Sequence, residues 1–382
     1  FKNENPYESM PYPDEGFRLL TLFKYWNMIQ YYFPYKHLTE KKWSTTLKEH
    51  LPAFIKAKNE LEFELATLQI IGDIKDTHAN LWAGNNAIQE NRGFFYPPVH
   101  VRFIEDCLVV TDYYNREMQP ATGLKIGDII TRINGTLVED LIKEKLPFYP
   151  ASNYPTQLRD ISGDLLRSNK NTLDLQYTRD DEEFTKNIPL FEIKDLNYYN
   201  SYRVEPDSKS FKIIDGNIGY INLANIQEKD IKDIKKQLKD TKGIIVDIRN
   251  YPSTFVVFSL GNFLNSNRTD FVKFTNGNVD YPGEFSFTEP IKVGVKRSWS
   301  YNGRKVVVLV NELSQSQAEY TAITLPGGMR TVISGIGVYY PDGTETQGVG
   351  IIPDVEVLPT IQGTKEGKDE PLEKAIEIIN KV

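Results

Sequence analysis

The chain has 382 residues, too many for one ordinary domain, so two or three are expected. Hydrophobic residues make up 40% and charged residues 25%, the balance of a soluble globular protein. A net charge of −7 leaves no basic surplus to neutralise phosphates, which excludes a general nucleic-acid binder, and no apolar stretch approaches the ~20 residues that span a bilayer.

The chain begins at Phe1 rather than Met, so removal of a leader is expected, a signal peptide being one candidate. Residues 1–13 are polar and Pro-rich and read as an extended lead-in. From Glu15 to about Ile70 the pattern is helical: Phe17, Leu20, Phe23, Trp26 and Ile29 recur at spacings of three or four, and so do Leu47, Leu51 and Phe54. Pro34 and Pro52 punctuate this stretch. We read residues 1–94 as a small helical N-terminal domain.

From about Val99 the period changes to two. His100-Val101-Arg102-Phe103 and Leu108-Val109-Val110 are strand-like, and the single cysteine, Cys107, reads as a buried strand residue there. The segment Gly123-Leu124-Lys125-Ile126-Gly127-Asp128 predicts a turn, followed by an alternating strand that ends in the hairpin signal Asn134-Gly135. Residues 138–170 read as a helix-like stretch and a polar, irregular insertion. Leu173 to Leu190 predicts two strands around the charged turn Arg179-Asp180-Asp181-Glu182. Together, 95–192 form a β-rich middle module.

Residues 193–211 read as a Tyr-rich linker into a third domain, 193–382. There Ile218 to Leu223 is a strand, Lys229 to Lys239 an amphipathic helix, and Gly243 to Arg249 a nearly all-apolar strand. That order predicts parallel strands buried on both faces. Lys305 to Val310 is expected to be a second buried strand, Gly363 to Asp369 a charged loop, and Pro371 to Val382 a closing helix.

Ser316 is the best catalytic position. It follows the strand 305–310 in Asn311-Glu312-Leu313-Ser314-Gln315-Ser316-Gln317-Ala318-Glu319, and the residues from Gln317 favour helix. A serine at a strand-to-helix junction sits where open α/β sheets bind ligands, and helix-start amides can stabilise an oxyanion. The same serine would also serve as a helix cap. A serine nucleophile needs a base, and the chain has four histidines: His37, His50, His78 and His100. His78, in the polar turn Asp73-Ile74-Lys75-Asp76-Thr77-His78, is a candidate base or a satisfied structural histidine. Glu345, in Pro341-Asp342-Gly343-Thr344-Glu345-Thr346-Gln347-Gly348, is a candidate orienting group or a solvated loop carboxylate.

In this order, five features resemble the tail-specific (C-terminal processing) and tricorn-type serine peptidases. They are a helical N-terminal domain, the Asp-Thr-His turn, the PDZ-like Gly-Leu-Lys-Ile-Gly-Asp segment, the Asp247-Ile248-Arg249 strand end, and Ser314-Gln315-Ser316-Gln317-Ala318-Glu319. The resemblance covers most of the chain from Phe17 to Val357. It implies a multidomain α/β fold: a helical N-terminal domain, a PDZ-like module, and a catalytic domain with a ClpP/crotonase-like βα sheet. It also implies peptide or protein substrates, no cofactor or metal, and a periplasmic or cell-envelope location.

The family's processing branch pairs the serine with a later lysine. Here no lysine occurs between Lys305 and Lys365, so the resemblance points to the tricorn-type Ser-His-Glu branch: Ser316, His78 and Glu345. The implied oxyanion donors are the Gln317 amide and one near Tyr251. The family's second oxyanion loop is Gly-rich, whereas this one reads Asn250-Tyr251-Pro252-Ser253, and Pro252 has no N–H. The stretch after Ser316 is shorter than in the family, so either the loop after Ala322 has been deleted or a segment there is missing from the chain, and the second is the expectation. A competing reading is a catalytically inactive ligand- or peptide-binding protein on the same fold, which Tyr251-Pro252 would suit.

Overall fold

The computed structural model describes residues 5, 7, 9–198, 208–265, 267–295, 304–314, 320–324, 330–349 and 352–381, with the backbone alone along 320–324 and 330–332. The first region is helical: α1 (Glu15–Tyr32), α2 (Trp43–Lys56) and α3 (Glu60–Gly72), then β1 (Asn80–Ala83) and α4 (Asn86–Arg92). Asp14 and Asn59 cap α1 and α3 by accepting from Phe17 N (3.0 Å) and Glu62 N (2.9 Å). The stripe of α1 that packs is Leu22, Tyr25 and Ile29, while Phe23 stays exposed. The helix is apolar on two faces, and only one meets Phe54 of α2 and Phe63, Ile70 and Ile71 of α3. Arg18 is buried with them. It donates to Phe54 O (2.8 Å), Ile55 O (3.1 Å) and Pro13 O (2.9 Å), meeting the carbonyl end of α2, where a cation suits the helix dipole.

The middle region runs β2 (Phe95–Tyr96), β3 (Val99–Ile104), β4 (Cys107–Tyr113), α5 (Gln119–Thr122), β5 (Ile129–Ile133), β6 (Thr136–Leu137), α6 (Val138–Lys145), α7 (Tyr154–Leu165), β7 (Thr172–Arg179), β8 (Glu182–Pro189) and β9 (Phe191–Glu192). The sheet order is β3-β4-β5-β7-β8, with β6 paired to β5 and β2 to β9. The strands and both hairpin turns fall where the sequence places them. Asn134 and Gly135, at φ of +48° and +82°, turn β5 into β6. The insertion expected to be irregular instead contains α7, started by Asn153, which accepts from Thr156 N (3.0 Å), and by Pro155 at its first turn. The Gly-Leu-Lys-Ile-Gly-Asp turn is fixed by buried Asp128. Its carboxylate accepts from Lys125 N (2.7 Å) and pairs with Arg179 of β7 (2.6 Å).

The last region holds β10 (Phe211–Ile214), β11 (Ile218–Asn222), α8 (Asp230–Leu238), β12 (Gly243–Asp247), α9 (Val257–Leu264), β13 (Thr269–Gly277), β14 (Phe285–Phe287), β15 (Ile291–Val293), β16 (Lys305–Leu309), β17 (Tyr320–Thr324), β18 (Arg330–Ser334), β19 (Val338–Tyr339), α10 (Ile361–Glu366) and α11 (Glu370–Asn380). Strands β11, β12 and β16 are parallel, and β10 runs antiparallel to β11. Every residue of β12 is buried, with α8 and α9 on one face and α11 on the other.

Three expectations need correction here. Strand β16 is not buried throughout. Among the described residues it pairs only with β12, and Val306 and Val308, on the same face of the sheet as α8 and α9, are 38% and 51% exposed. The helix expected from Gln317 is replaced over its second half by β17, which pairs antiparallel with β18 and runs unbroken through Ala322. The charged loop at 363–369 is largely α10, because Thr360 caps its start (Gly363 N, 2.8 Å) and Gly367, at φ +69°, its end.

One strand pairing and one packing contact tie the ends of the chain together. β1 joins β18 in the sheet β1-β18-β17, and Ile333 and Tyr339 pack into the N-terminal helical core. Strand β13 carries β14, β15 and β19.

Candidate active site

The chain after α3 turns sharply, with Lys75 at φ +50° and Ala79 N donating to Asp76 O (3.0 Å). Asp76 is wholly buried (0% exposed). Its Oδ1 accepts from His78 N (3.0 Å) and lies 3.2 Å from His78 Nδ1, and its Oδ2 accepts from Ser334 N of β18 (2.8 Å). Burial alone would raise the Asp76 pKa. The hydrogen bond to His78 and its charge, with the Ser334 and His78 amides, overcome that and hold it below the ordinary carboxylate value. Ser334 Oγ also lies 3.3 Å from His78 Nδ1, and Trp82 Nε1 donates to His78 O (3.1 Å). Between Asp76 and His78, Thr77 makes a reciprocal pair with Ser152 of the middle region. Ser152 N donates to Thr77 Oγ1 (2.9 Å), and Thr77 N donates to Ser152 Oγ (3.2 Å).

The approach to Ser316 is equally well anchored. After β16, Asn311 to Ser314 form a turn in which Ser314 N donates to Asn311 O (3.0 Å) and Asn311 N to Ser314 Oγ (3.0 Å). Ser314 Oγ donates in turn to Ile248 O (2.8 Å), joining this turn to the Asp-Ile-Arg strand end. Glu312 is held from the middle region: Arg102 of β3 reaches its carboxylate (2.6 Å) and Arg159 of α7 its carbonyl (2.8 Å). Ser316 and Gln317 lie outside the described residues.

At the strand end, Arg249 pairs with Asp247 (2.6 Å) and with Asp369, the N-cap of α11 (2.6 Å). Tyr220 OH donates to Asp247 Oδ2 (2.7 Å). Tyr251 follows in the loop and is 54% exposed. No hydrogen bond to its amide occurs among the described residues, while Ser253 N is used by Leu223 O (3.0 Å).

The structure does not bring Glu345 to His78. Glu345 forms a bridge with Tyr339, whose ring packs on Tyr35, so its carboxylate emerges beside the turn Lys36–Leu38 and pairs with His37 Nε2. Its neighbour Gln347 reaches the His78 turn instead, donating to Lys75 O (3.1 Å). The other histidines are engaged elsewhere. His50 pairs with Asp73 (2.8 Å), and His100 bonds Thr111 Oγ1 (2.9 Å), burial pushing its pKa down to about 4.

Asp76 and Ser334 were missed in the sequence. Asp76 stands two residues before His78, a visible signal. Ser334 had none, because only strand pairing carries it there. Ser334 is buried (3% exposed), which leaves its hydroxyl no access to a substrate carbonyl.

Residues 217–336 match the model of a family described as peptidase family S41. A carboxy-terminal-processing protease of Bartonella bacilliformis is 24% identical over 196 residues, which is 42% of this chain and 43% of that protein, so the chain spans less than half the length of this curated relative. Among solved structures, mature CPAF superposes with a TM-score of 0.72 at 12% identity, covering 96% of this chain and 98% of the other. Mature CPAF complexed with lactacystin gives 0.68 at 10% identity over the same shares. At such identities the likeness is one of fold, and it extends over nearly the whole of this chain.

Proposed function

We propose that this chain, which belongs to peptidase family S41 through residues 217–336, is a serine peptidase that hydrolyses peptide bonds of protein or peptide substrates, with Ser316 as nucleophile and His78 as general base. The observation that carries this reading is how the described residues flanking Ser316 are held. Two residues upstream, Ser314 is bonded to Ile248 at the start of the proposed oxyanion loop. Four residues downstream, Tyr320 stands opposite Ser334, whose hydroxyl is in contact with His78. In sequence, Ser316 falls between these two anchored points, one at the strand end and one beside the histidine turn.

In the proposed reaction, His78 Nε2 takes the Ser316 proton as Oγ attacks the scissile carbonyl. The Gln317 amide, with a second donor near Tyr251, holds the oxyanion. His78 then protonates the leaving amine, and water, deprotonated by His78, releases the acyl group. Glu345 is the third triad member that the resemblance implies; to reach His78 it would have to leave His37.

The middle module, residues 95–192, is proposed as PDZ-like and as the reader of substrate C-termini. Its strand β3 is a sheet edge among the described residues, the kind of edge to which a peptide adds as a further strand. The cavity between β3 and α7, lined by Val99, His100, Val101, Ser162 and Gly163, is ≈ 10 Å³, room for about one water, so a peptide would enter only if α7 moved away. A periplasmic or cell-envelope location, which fractionation would check, follows from the same resemblance.

The test is Ser316→Ala. Hydrolysis of a denatured protein substrate and labelling by a fluorophosphonate probe should both vanish, with circular dichroism and the melting curve unchanged. Retained hydrolysis in that variant overturns the assignment.

A further inference from the structure

We infer that Asp76, and not Glu345, is the carboxylate that positions His78 for its work on Ser316. The inference rests on the reading of His78 as base and adds the group that orients it. A carboxylate only accepts hydrogen bonds, so an imidazole nitrogen facing one must carry the proton. Asp76 Oδ1 faces Nδ1 at 3.2 Å. That fixes the tautomer with Nδ1–H, and Nε2 is then the nitrogen with a lone pair to receive the serine proton. The distance is long for a charge-assisted bond, as resting acid–base pairs often are before substrate tightens them.

Burial makes this contact more than a loop hydrogen bond. Asp76 has no exposed surface, so its charge must be met by protein groups, and those are the His78 amide, the Ser334 amide and the imidazole itself. The two amides lock the carboxylate in place, leaving the imidazole as the partner that can become a cation. When His78 takes up the serine proton, the resulting ion pair forms inside a site screened from water, where it stabilises the developing positive charge.

Among the described residues, the other charged and titratable groups around the turn are engaged elsewhere or neutral. Asp73 pairs with His50, Lys75 with Glu40, and Glu345 with His37. The phenols of Tyr25 in α1 and Tyr35 after it sense the Asp76 charge, and burial keeps both protonated. Ser334 Oγ, which lies 3.3 Å from Nδ1, is uncharged.

The alternative is that Asp76 merely shapes the turn through the two amides. Asp76→Asn separates the two roles, because it retains an oxygen for an amide while removing the charge. In a Ser316→Ala background, the His78 imidazole followed by NMR should titrate at least about one pH unit lower after Asp76→Asn and stay in place after Glu345→Gln. In the active chain, Asp76→Asn should lower kcat about a hundredfold or more, with KM within about threefold, and carry the acid limb of the pH profile down with it. An unmoved His78 titration in Asp76→Asn overturns the inference. So does a Glu345→Gln variant that shifts the titration, even if Asp76→Asn does not fold. Hydrolysis surviving in Ser316→Ala would sink the peptidase assignment instead, and the titration would still report on the Asp76–His78 pair.

Discussion

Glu64 sits beneath the first turn of α4, almost wholly buried, with its carboxylate accepting from Ala87 N (3.3 Å) and Ile88 N (2.8 Å). Desolvation raises its pKa from 4.5 to about 7, the two amides offsetting part of that and the nearby Glu60 adding to it. An acid raised in this way keeps its proton longer in the folded chain than in the unfolded one. Between pH 4.5 and about 7 the folded state therefore binds more protons, and stability falls as pH rises through that window, by at most about 3 kcal/mol. Glu64→Gln should abolish this slope: its melting temperature should gain on the parent's as pH climbs from 4.5 to 7 and change little relative to it outside. Parallel curves across the window would disprove the assignment. Glu64 also marks a limit of reading single residues from sequence. It looks like any charged residue of an amphipathic helix, and only the distant pair Ala87–Ile88 makes it special. His37, Asp76 and Glu345 show the same limit, since the motif supplied a histidine and a carboxylate but could not say which would meet.

At the scale of elements, the turn Asn311–Ser314 is braced from another part of the chain. Arg102 and Arg159 grip Glu312 from β3 and α7, so the middle module holds the approach to the proposed nucleophile. The Arg102–Glu312 pair is partly solvated, which limits its worth to about 1 kcal/mol, about fivefold in rate if it serves only to position the turn. Arg102→Ala should therefore lower kcat by about that factor without changing the cooperative melting of the chain. Unchanged kcat would mean that the contact is passive. Lysine at 102 should not restore the rate, because its single ammonium cannot supply the two N–H groups that Arg102 places on one carboxylate oxygen. Local chemistry made β3 to β8 legible: alternation set the strands, and Asn134-Gly135 and Asp180-Asp181, all at positive φ, set the turns. It failed at β16, whose apolar run matches a central strand although it ends at a sheet edge, and at α10, whose charges hid a threonine cap. Residues 265–295 gave no reading, because β13 and its partners are two-sided and partly solvated, with little periodicity to detect.

Across the whole molecule, the features that organise the site are contacts between segments far apart in sequence. β1 pairs with β18, more than 240 residues away, and Ile333 and Tyr339 complete the helical core at the other end of the chain. No local period encodes such pairings, which is why the region order was legible and the knitting of regions was not. The closing helix shows how much rides on one distant contact. α11 lays Ala375 and Ile379, with Leu372 and Ile376 partly buried, against Ile218, Ile245 and Leu309 of the parallel sheet. Gly243 has no side chain where Ile379 comes so near that a Cβ would lie 2.5 Å from it. Lys305 Nζ reaches Ile378 O (2.8 Å), and Asp369 ties the helix start to Arg249 beside the proposed oxyanion loop. Burying those side chains is worth on the order of 5 kcal/mol, comparable with the roughly 5–15 kcal/mol that holds a whole domain folded. A chain ended at Thr360 should therefore lose hydrogen-exchange protection through β11, β12 and β16 and lack the proposed peptidase activity, while β7 and β8 keep theirs around a separate core. A chain ended at Asn380 keeps the whole helix and should match the parent in both respects. Slow exchange persisting in β12 without α11 would show that α8 and α9 suffice to hold the sheet, and that the closing helix covers it without supporting it.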